Sequence, residues 1–328
     1  VLRDECHRFA EMASSAWAAV LAGGASEPLR PLIREIFGDE RPKPFAPLMA
    51  TDSLLRQTLA RTARLIPAER TAVVAFQDQS VWIARDLGPE SRRKILLQPE
   101  DRGTAAGTLL PMYWASARDS DATMVVFPAD HFILEEAAFL AHLGEVIAFV
   151  EHRPEWLVLL GLRATAPDPE LGWIEPGHAI GSTTAGPIAR VERFREKPAP
   201  PVAAACLARG WLWNTSVVVA KAATLISVAD VLLPDVHRCL SAVAPFFESR
   251  REAWALREAY ARLPRHSFSG TVLQAGVPLL AVSTLPALTW SDLGTTERLF
   301  RLIRTLRLAP PWMRGRGGVL TGRTRRAE

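Results

Sequence analysis

The stretch Trp17-Ala18-Ala19-Val20-Leu21-Ala22-Gly23-Gly24 decides the fold, because an apolar, β-prone run stops there on paired glycines. A strand that ends on glycines lets a phosphate come close to the backbone, since no Cβ stands in the way. Further along comes Pro42-Lys43-Pro44-Phe45, a lysine held between rigid neighbours. Outward from this run, apolar and amphipathic stretches alternate. Strands are expected over 18–21, 71–76, 94–97, 123–127 and 157–162. Leu54, Leu55, Leu59 and Ala63 recur at helical spacing, as do Leu109, Leu110 and Trp114, with Asp52 or Ser53 as the cap of the first helix. Repeated β-α-β units with near-continuous apolar strands predict an α/β fold, a mixed but mostly parallel sheet with helices on both faces. Ligands in such sheets bind beyond the carboxyl ends of the strands, so Gly23-Gly24, Gln98-Pro99 and Asp130 are expected on one rim.

The second half reads as strands over 187–195, 212–220 and 277–283, with a short helix over 202–209. Residues 232–263 read as predominantly helical with a break near Pro245, and 297–306 as a closing helix. Pro310-Pro311 is expected to end the ordered structure. The organisation is then an N-terminal extension over 1–14, one domain over 15–308 and a flexible basic tail over 309–328.

Composition narrows the function. Of 328 residues, 48% are hydrophobic and 23% charged, ordinary for a globular protein with a full core. The net charge of +4 owes much to Arg314, Arg316, Arg323, Arg325 and Arg326, and without them the body is nearly neutral, which speaks against nucleic acid as a partner. Cys6, Cys206 and Cys239 show no C-x-x-C spacing and suggest reduced thiols in a cytoplasmic protein. No apolar run approaches the ~18–20 residues of a membrane span, and the start of the chain does not read as a signal peptide. The histidines show no H-E-x-x-H spacing and there is no G-x-S-x-G elbow.

Several clusters carry chemistry. Asp130, just past Val125-Val126-Phe127-Pro128-Ala129, is placed to hold a hard divalent cation that bridges phosphates, or simply to cap the next helix. His131 beside it reads as structural. In Gln98-Pro99-Glu100-Asp101-Arg102-Gly103-Thr104-Ala105 the Gln98 amide both donates and accepts, as a base edge requires, and Gly103 would let the backbone approach a flat purine. The same octapeptide also reads as a strand-to-helix turn capped by Thr104. In Arg195-Glu196-Lys197-Pro198 the carboxylate can bind sugar hydroxyls and the lysine a phosphate, although an exposed Glu-Lys pair is commonly just a solvated edge. Trp213-Asn214-Thr215 and Leu171-Gly172-Trp173-Ile174-Glu175-Pro176-Gly177 complete the set, with a plain tight turn as the alternative reading of Gly172.

Taken in order from Leu21 to Gly294, these boxes resemble the sugar-nucleotide pyrophosphorylases. Leu21-Ala22-Gly23-Gly24 followed by Lys43 resembles L-A-G-G-x-G-[ST]-R-L-x-P-L and P-K-Q-F, Pro128-Ala129-Asp130-His131 resembles P-[SA]-D-H, and Trp290-Ser291-Asp292-Leu293-Gly294 resembles W-S-D-L-G. Arg102-Gly103-Thr104-Ala105, Trp213-Asn214-Thr215 and the last box look most like the mannose-1-phosphate guanylyltransferase family. The resemblance implies a Rossmann-like nucleotidyltransferase fold. It also implies an enzyme that forms GDP-mannose and pyrophosphate from GTP and mannose 1-phosphate with Mg2+. By the same resemblance Asp130 and Asp292 hold the metal, Lys43 and the Gly23-Gly24 backbone meet the triphosphate, and Leu21, Ala22, Gln98, Arg102, Gly103 and Thr104 complete the guanine-nucleotide site. Gly172, Glu196, Lys197 and Asn214 would hold the sugar phosphate. The downstream isomerase domain of bifunctional members has no room in this length, and a homo-oligomer is left open.

The chain departs from the pattern in the phosphate loop. Ser26 stands for the third glycine, Glu27 for the hydroxyl residue, Pro28 for the arginine, and Pro44 for the glutamine of P-K-Q-F. Pro28 offers neither guanidinium nor amide N–H, and Glu27 adds negative charge. The alternative reading is therefore a catalytically impaired relative that binds a sugar phosphate or nucleotide without turnover.

Overall fold

The computed structural model describes residues 16–24, 27–89 and 91–313, with Glu27 described in its backbone only. The expected extension over 1–14 and residues 314–328 of the expected tail lie outside the described residues. Strands β1 (Ala16–Leu21), β2 (Thr71–Phe76), β3 (Lys94–Gln98) and β4 (Thr123–Pro128) lie parallel in the order β3-β2-β1-β4. β5 (Phe132–Ile133) is followed by β6 (Leu157–Arg163), β7 (Trp173–Thr183), β8 (Gly186–Arg195), β9 (Leu212–Lys221) and β10 (Leu280–Thr284), then β11 (Trp290–Ser291). The nine-stranded sheet runs β3-β2-β1-β4-β9-β6-β10-β8-β7, with β9 antiparallel to both β4 and β6.

Helices α1 (Arg30–Phe37), α2 (Leu54–Thr62), α3 (Ser80–Leu87), α4 (Thr104–Ser116) and α5 (Glu136–His152) belong to the first half. α6 (Pro200–Ala208), α7 (Ala222–Leu232), α8 (Pro234–Ser241), α9 (Glu252–Tyr260) and α10 (Thr296–Thr305) belong to the second. Strand side chains alternate between faces. Trp17, Ala19, Val74 and Val126 pack with α4, α7, α8 and α9, while Ala18, Val20, Val73 and Phe127 pack with α2 and α5. α4 is buried from Ala105 to Ala115 because it is apolar on every side, and it fills the space between sheet and outer helices. Ser53 caps α2, its Oγ accepting from the Arg56 amide at 3.0 Å. None of the described helices is long and apolar enough to cross a membrane.

Two expectations need correcting, and one alternative reading falls away. Most of the box from Leu171 to Gly177 lies not in a tight turn but in β7, an eleven-residue strand that begins at Trp173. Register shifts against β8 at Pro176 and Gly181 break the alternation that would have announced it, and proline is tolerated at such bulges. Val277–Leu279 forms a 3-10 turn around Pro278, so the strand expected from 277 begins at Leu280. Ordered structure does not end at Pro310-Pro311 either. Trp312 donates to the Leu48 carbonyl at 3.0 Å and meets Phe300 edge-on, with ring centroids 6.1 Å apart. Both rings pack on a small core shared by α1 and α10.

His142 of α5 is buried against β10, its Nε2 2.9 Å from Ser283 Oγ. Burial lowers its pKa, with Glu145 opposing. The folded ring therefore stays neutral where the unfolded one takes up a proton, so its contribution to stability is present above the ordinary histidine pKa of 6.5 and is lost as pH falls below it. Melting temperature should decline on acidification below about pH 6.5, and less steeply in His142→Gln. Superimposable pH–melting curves would refute this assignment.

Candidate active site

β1 and β4 end in register, Leu21 opposite Pro128, and the Ala129 amide donates to the Leu21 carbonyl at 3.0 Å. That bond sets Asp130 on the rim beside the glycines. Lys43 opens the 3-10 turn Lys43–Phe45, and only 4% of it is exposed. Its Nζ lies 2.8 Å from Asp130 Oδ2 and also donates to the main-chain carbonyl of Asp292. The short ladder of β5 with β11, Trp290 opposite Ile133, brings the two aspartate motifs side by side. Asp292 Oδ1 accepts from the Gly294 amide at 3.1 Å and from Arg298 Nη1 of α10. Arg298 Nη2 continues to Asp168 Oδ2 at 2.7 Å.

Burial is the largest single influence on Asp130 and opposes its ionisation, but the Lys43 ammonium, His131 and a backbone hydrogen bond together hold the carboxyl below the usual range. Asp292 behaves likewise, burial being overcome by the Arg298 hydrogen bond together with the charges of His131, Arg298 and Lys43. Both are carboxylates at neutral pH. Burial pushes His131 down to about 4 against the pull of Asp130, so the ring is neutral. It packs edge-on against Trp290, with ring centroids 5.3 Å apart. Among the described residues no three His, Cys, Asp or Glu side chains gather as a metal cage. Two carboxylates, each with one oxygen given to a cation of the chain, suit an ion such as Mg2+ that takes the rest of its shell from phosphate and water.

A chamber of about 660 Å³ opens beyond β1 and β3, lined by Leu21, Gly23, Gly24, Gln98, Gly103 and Thr104 among others. Gln98 is the last residue of β3, and its Oε1 accepts from the Tyr260 hydroxyl at 3.1 Å. Gly23 and Gly107 leave room for it, since a Cβ there would lie 3.4 and 3.1 Å from Gln98 Nε2. Ala22 does not line this chamber: it is fully buried, and its amide donates to the Val74 carbonyl at 2.7 Å. The Gly23 amide is spent on the same carbonyl at 3.1 Å, so the sheet claims donors that the loop was expected to offer a phosphate. Arg102 pairs with Glu100 at 2.7 Å and does not line the chamber.

Gly103 has a structural purpose that the sequence does not announce. Its φ is +80°, and a Cβ there would lie 2.2 Å from the His266 carbonyl oxygen. The backbone of the His266 segment by itself requires a glycine here, and Gly103 also lines the chamber. Its amide donates to Asp101 Oδ1 at 2.7 Å, and Thr104 Oγ1 accepts from the Phe268 amide at 2.8 Å. Thr104 thus ties the start of α4 to the segment that carries His266. Gly103→Ala combines a disfavoured φ with a backbone clash and is expected to destabilise the fold by about 2 kcal/mol or more. It should weaken nucleotide binding in parallel, and a denaturation midpoint equal to that of the native chain would contradict it.

The sugar-box residues meet at the corner where β7, β8 and β9 come together, Trp173 opposite both Arg195 and Trp213. A Cβ on Gly172 would lie 3.1 Å from Glu196 Oε2 and 3.2 Å from Asn214 Cβ. The Asn214 amide donates to the Gly172 carbonyl at 2.8 Å, and its Oδ1 accepts from the Ser216 amide at 3.1 Å. Burial raises the Glu196 pKa, against the pull of Lys197 and a hydrogen bond with Ser269. Lys197 itself is not drawn into this group. With φ of +41° it turns to the surface, its ammonium 3.7 Å from Glu170. The sequence reading missed Arg298, Asp168 and Tyr260, which tie the boxes together through tertiary contacts that leave no local pattern.

A largely parallel sheet whose strand ends gather a glycine-edged chamber and a lysine-bridged aspartate pair defines a nucleotidyl-transfer architecture. The chain belongs to the nucleotidyl transferase family, whose profile matches residues 17–307. It is 30% identical to the xanthan biosynthesis protein XanB of Xanthomonas campestris pv. campestris (strain B100) over 85% of this chain and 58% of that protein. It is 27% identical to a mannose-1-phosphate guanylyltransferase of Escherichia coli over 92% of this chain and 61% of that protein. Among solved structures, a mannose-1-phosphate geranyltransferase from Thermus thermophilus matches with a TM-score of 0.75 and 31% identity, covering 88% of this chain and 79% of that one. The chain thus spans about 58–61% of the length of these curated relatives.

Proposed function

We propose that this chain is a sugar-nucleotide pyrophosphorylase that forms GDP-mannose and pyrophosphate from GTP and mannose 1-phosphate. The observation that carries the reading is Lys43, whose buried ammonium joins the Asp130 carboxylate to the Asp292 backbone beside the glycine-edged chamber. The guanine nucleotide would occupy the chamber of Gly23, Gly24 and Gln98, and the sugar phosphate the corner of Gly172, Glu196 and Asn214. A phosphate oxygen of the sugar 1-phosphate attacks the α-phosphorus in line. The bond from that phosphorus to the bridging oxygen of the β-phosphate breaks, and pyrophosphate leaves. No residue of the chain is covalently modified, so the protein contributes orientation and charge. Lys43 meets the phosphates as a point charge held in place by Asp130. Arg298 fixes Asp292 and, through Asp168, the loop that leads to Gly172. Mg2+, held by Asp130 and Asp292, would neutralise charge on the phosphates.

One specific observation favours a second reading, the impaired binder: Glu27-Pro28 stands where the family loop carries a hydroxyl residue and an arginine. Pyrophosphate release from GTP, mannose 1-phosphate and Mg2+ separates the two. Release that depends on mannose 1-phosphate supports the transferase, while metal-dependent GTP binding without release supports the binder.

A further inference from the structure

Next to the nucleotide chamber lies a second one of about 370 Å³, and Gly24, Asp78 and Gln79 line both. A nucleotide seated in the first would therefore extend its phosphates past Gly24 into the second. Arg30, Arg41 and Lys43 line this second chamber, against Glu40 and Asp78. Arg30 is engaged with Glu40 at 3.0 Å, and Lys43 with Asp130. Arg41 is held differently, as a rigid plate. Its Nε and Nη2 grip the two oxygens of Asp39, each at 2.8 Å. Its guanidinium carbon lies 4.5 Å from the Phe37 ring centroid and 5.5 Å from that of Trp82. A guanidinium has five N–H donors in a fixed fork, so Asp39 leaves part of the fork unused.

We propose that Arg41 binds the β,γ-phosphates of the nucleotide, in place of the loop arginine whose position Pro28 occupies. The inference rests on the nucleotidyltransferase reading for the nature of the ligand, and on this chain's own geometry for the residue. Two facts make a substitute necessary: Pro28 has no donor, and the Gly23 amide is already bonded to the Val74 carbonyl. Two facts single out Arg41: it borders the chamber that continues from Gly24, and its orientation is already fixed by Asp39, Phe37 and Trp82. Little side-chain entropy remains to be lost when a phosphate binds.

Calorimetric titration of inorganic triphosphate, GTP and GMP, each with Mg2+, into the native chain, Arg41→Gln and Arg41→Lys tests this. Arg41→Gln should lose about tenfold or more in affinity for inorganic triphosphate and GTP while its affinity for GMP changes less than about twofold. Arg41→Lys keeps the charge without the fork and should fall between. Equal losses for GTP and GMP, no loss for either, or a native chain that binds neither inorganic triphosphate nor GTP would overturn the assignment. If Arg41→Gln lowers the melting temperature, the folded Arg41→Lys variant carries the same comparison. Turnover is read separately. Selective loss of triphosphate affinity in a chain that releases no pyrophosphate supports Arg41 and removes the guanylyltransferase reading.

Discussion

Asp130→Asn is expected to lower pyrophosphate release by about 10³-fold or more and to destabilise the fold at the same time. The two effects share one cause. The Lys43 side chain is 5% exposed and that of Asp130 23%, so the ion pair sits largely out of water. Removing the charge of Asp130 leaves a buried ammonium with neutral acceptors, the Asp292 carbonyl among them, and only the more distant Asp292 carboxylate to offset it. Breaking one side of such a buried pair costs about 3–5 kcal/mol, and the lower end applies here because Asp130 keeps some contact with solvent. Asparagine preserves the shape and one acceptor, so the loss measures charge more than packing. Chemistry and stability separate under denaturant-free conditions well below the melting point. There the variant should stay folded, bind GTP less tightly with Mg2+ than the native chain, and turn over at background. Lys43→Met should cost less stability, since the Asp130 carboxylate it leaves behind is better hydrated. An Asp130→Asn protein with activity within about tenfold of native would sink the catalytic assignment of this pair.

How far the site could be read from the chain itself follows from where its contacts are made. Asp130, Lys43 and Asp292 were legible because each sits in a short box with its own signature at a strand end or turn. The first four strands were legible to within a residue or two because a parallel sheet buried on both faces leaves near-continuous apolar runs. β7 was not, because bulges at Pro176 and Gly181 erase its alternation. Gly103 shows a subtler limit. A glycine in that box is visible in the sequence, but that it makes way for His266 depends on a chain segment far along the sequence. The same holds for Ala22 and Gly23, whose amides look free in the sequence and are claimed by Val74 once β1 and β2 pair. Arg298 is the strongest case. It reads as one more basic residue on an amphipathic helix, yet it holds Asp292 and reaches Asp168 in the loop before Gly172.

Restoring the family's loop, with Ser26→Gly, Glu27→Thr and Pro28→Arg together, is expected to raise kcat by about 10²-fold if the native chain turns over, and to create measurable turnover if it does not. A preorganised donor aimed at charge that develops on the leaving pyrophosphate contributes ~2.7–4 kcal/mol to the transition state, which is roughly 10²–10³ in rate. The variant adds such a donor at residue 28, returns an amide N–H to the backbone there, and removes the Glu27 carboxylate. KM for GTP should move much less, because Arg41 in the adjoining chamber already holds the polyphosphate in the ground state. A gain in kcat with little change in KM is the signature of an interaction made chiefly in the transition state. The opposite split, a lower KM with unchanged kcat, would mean that the loop serves binding alone and that Arg41 does not. No change in either would show that the native loop is already competent, with its charge supplied from elsewhere in the site.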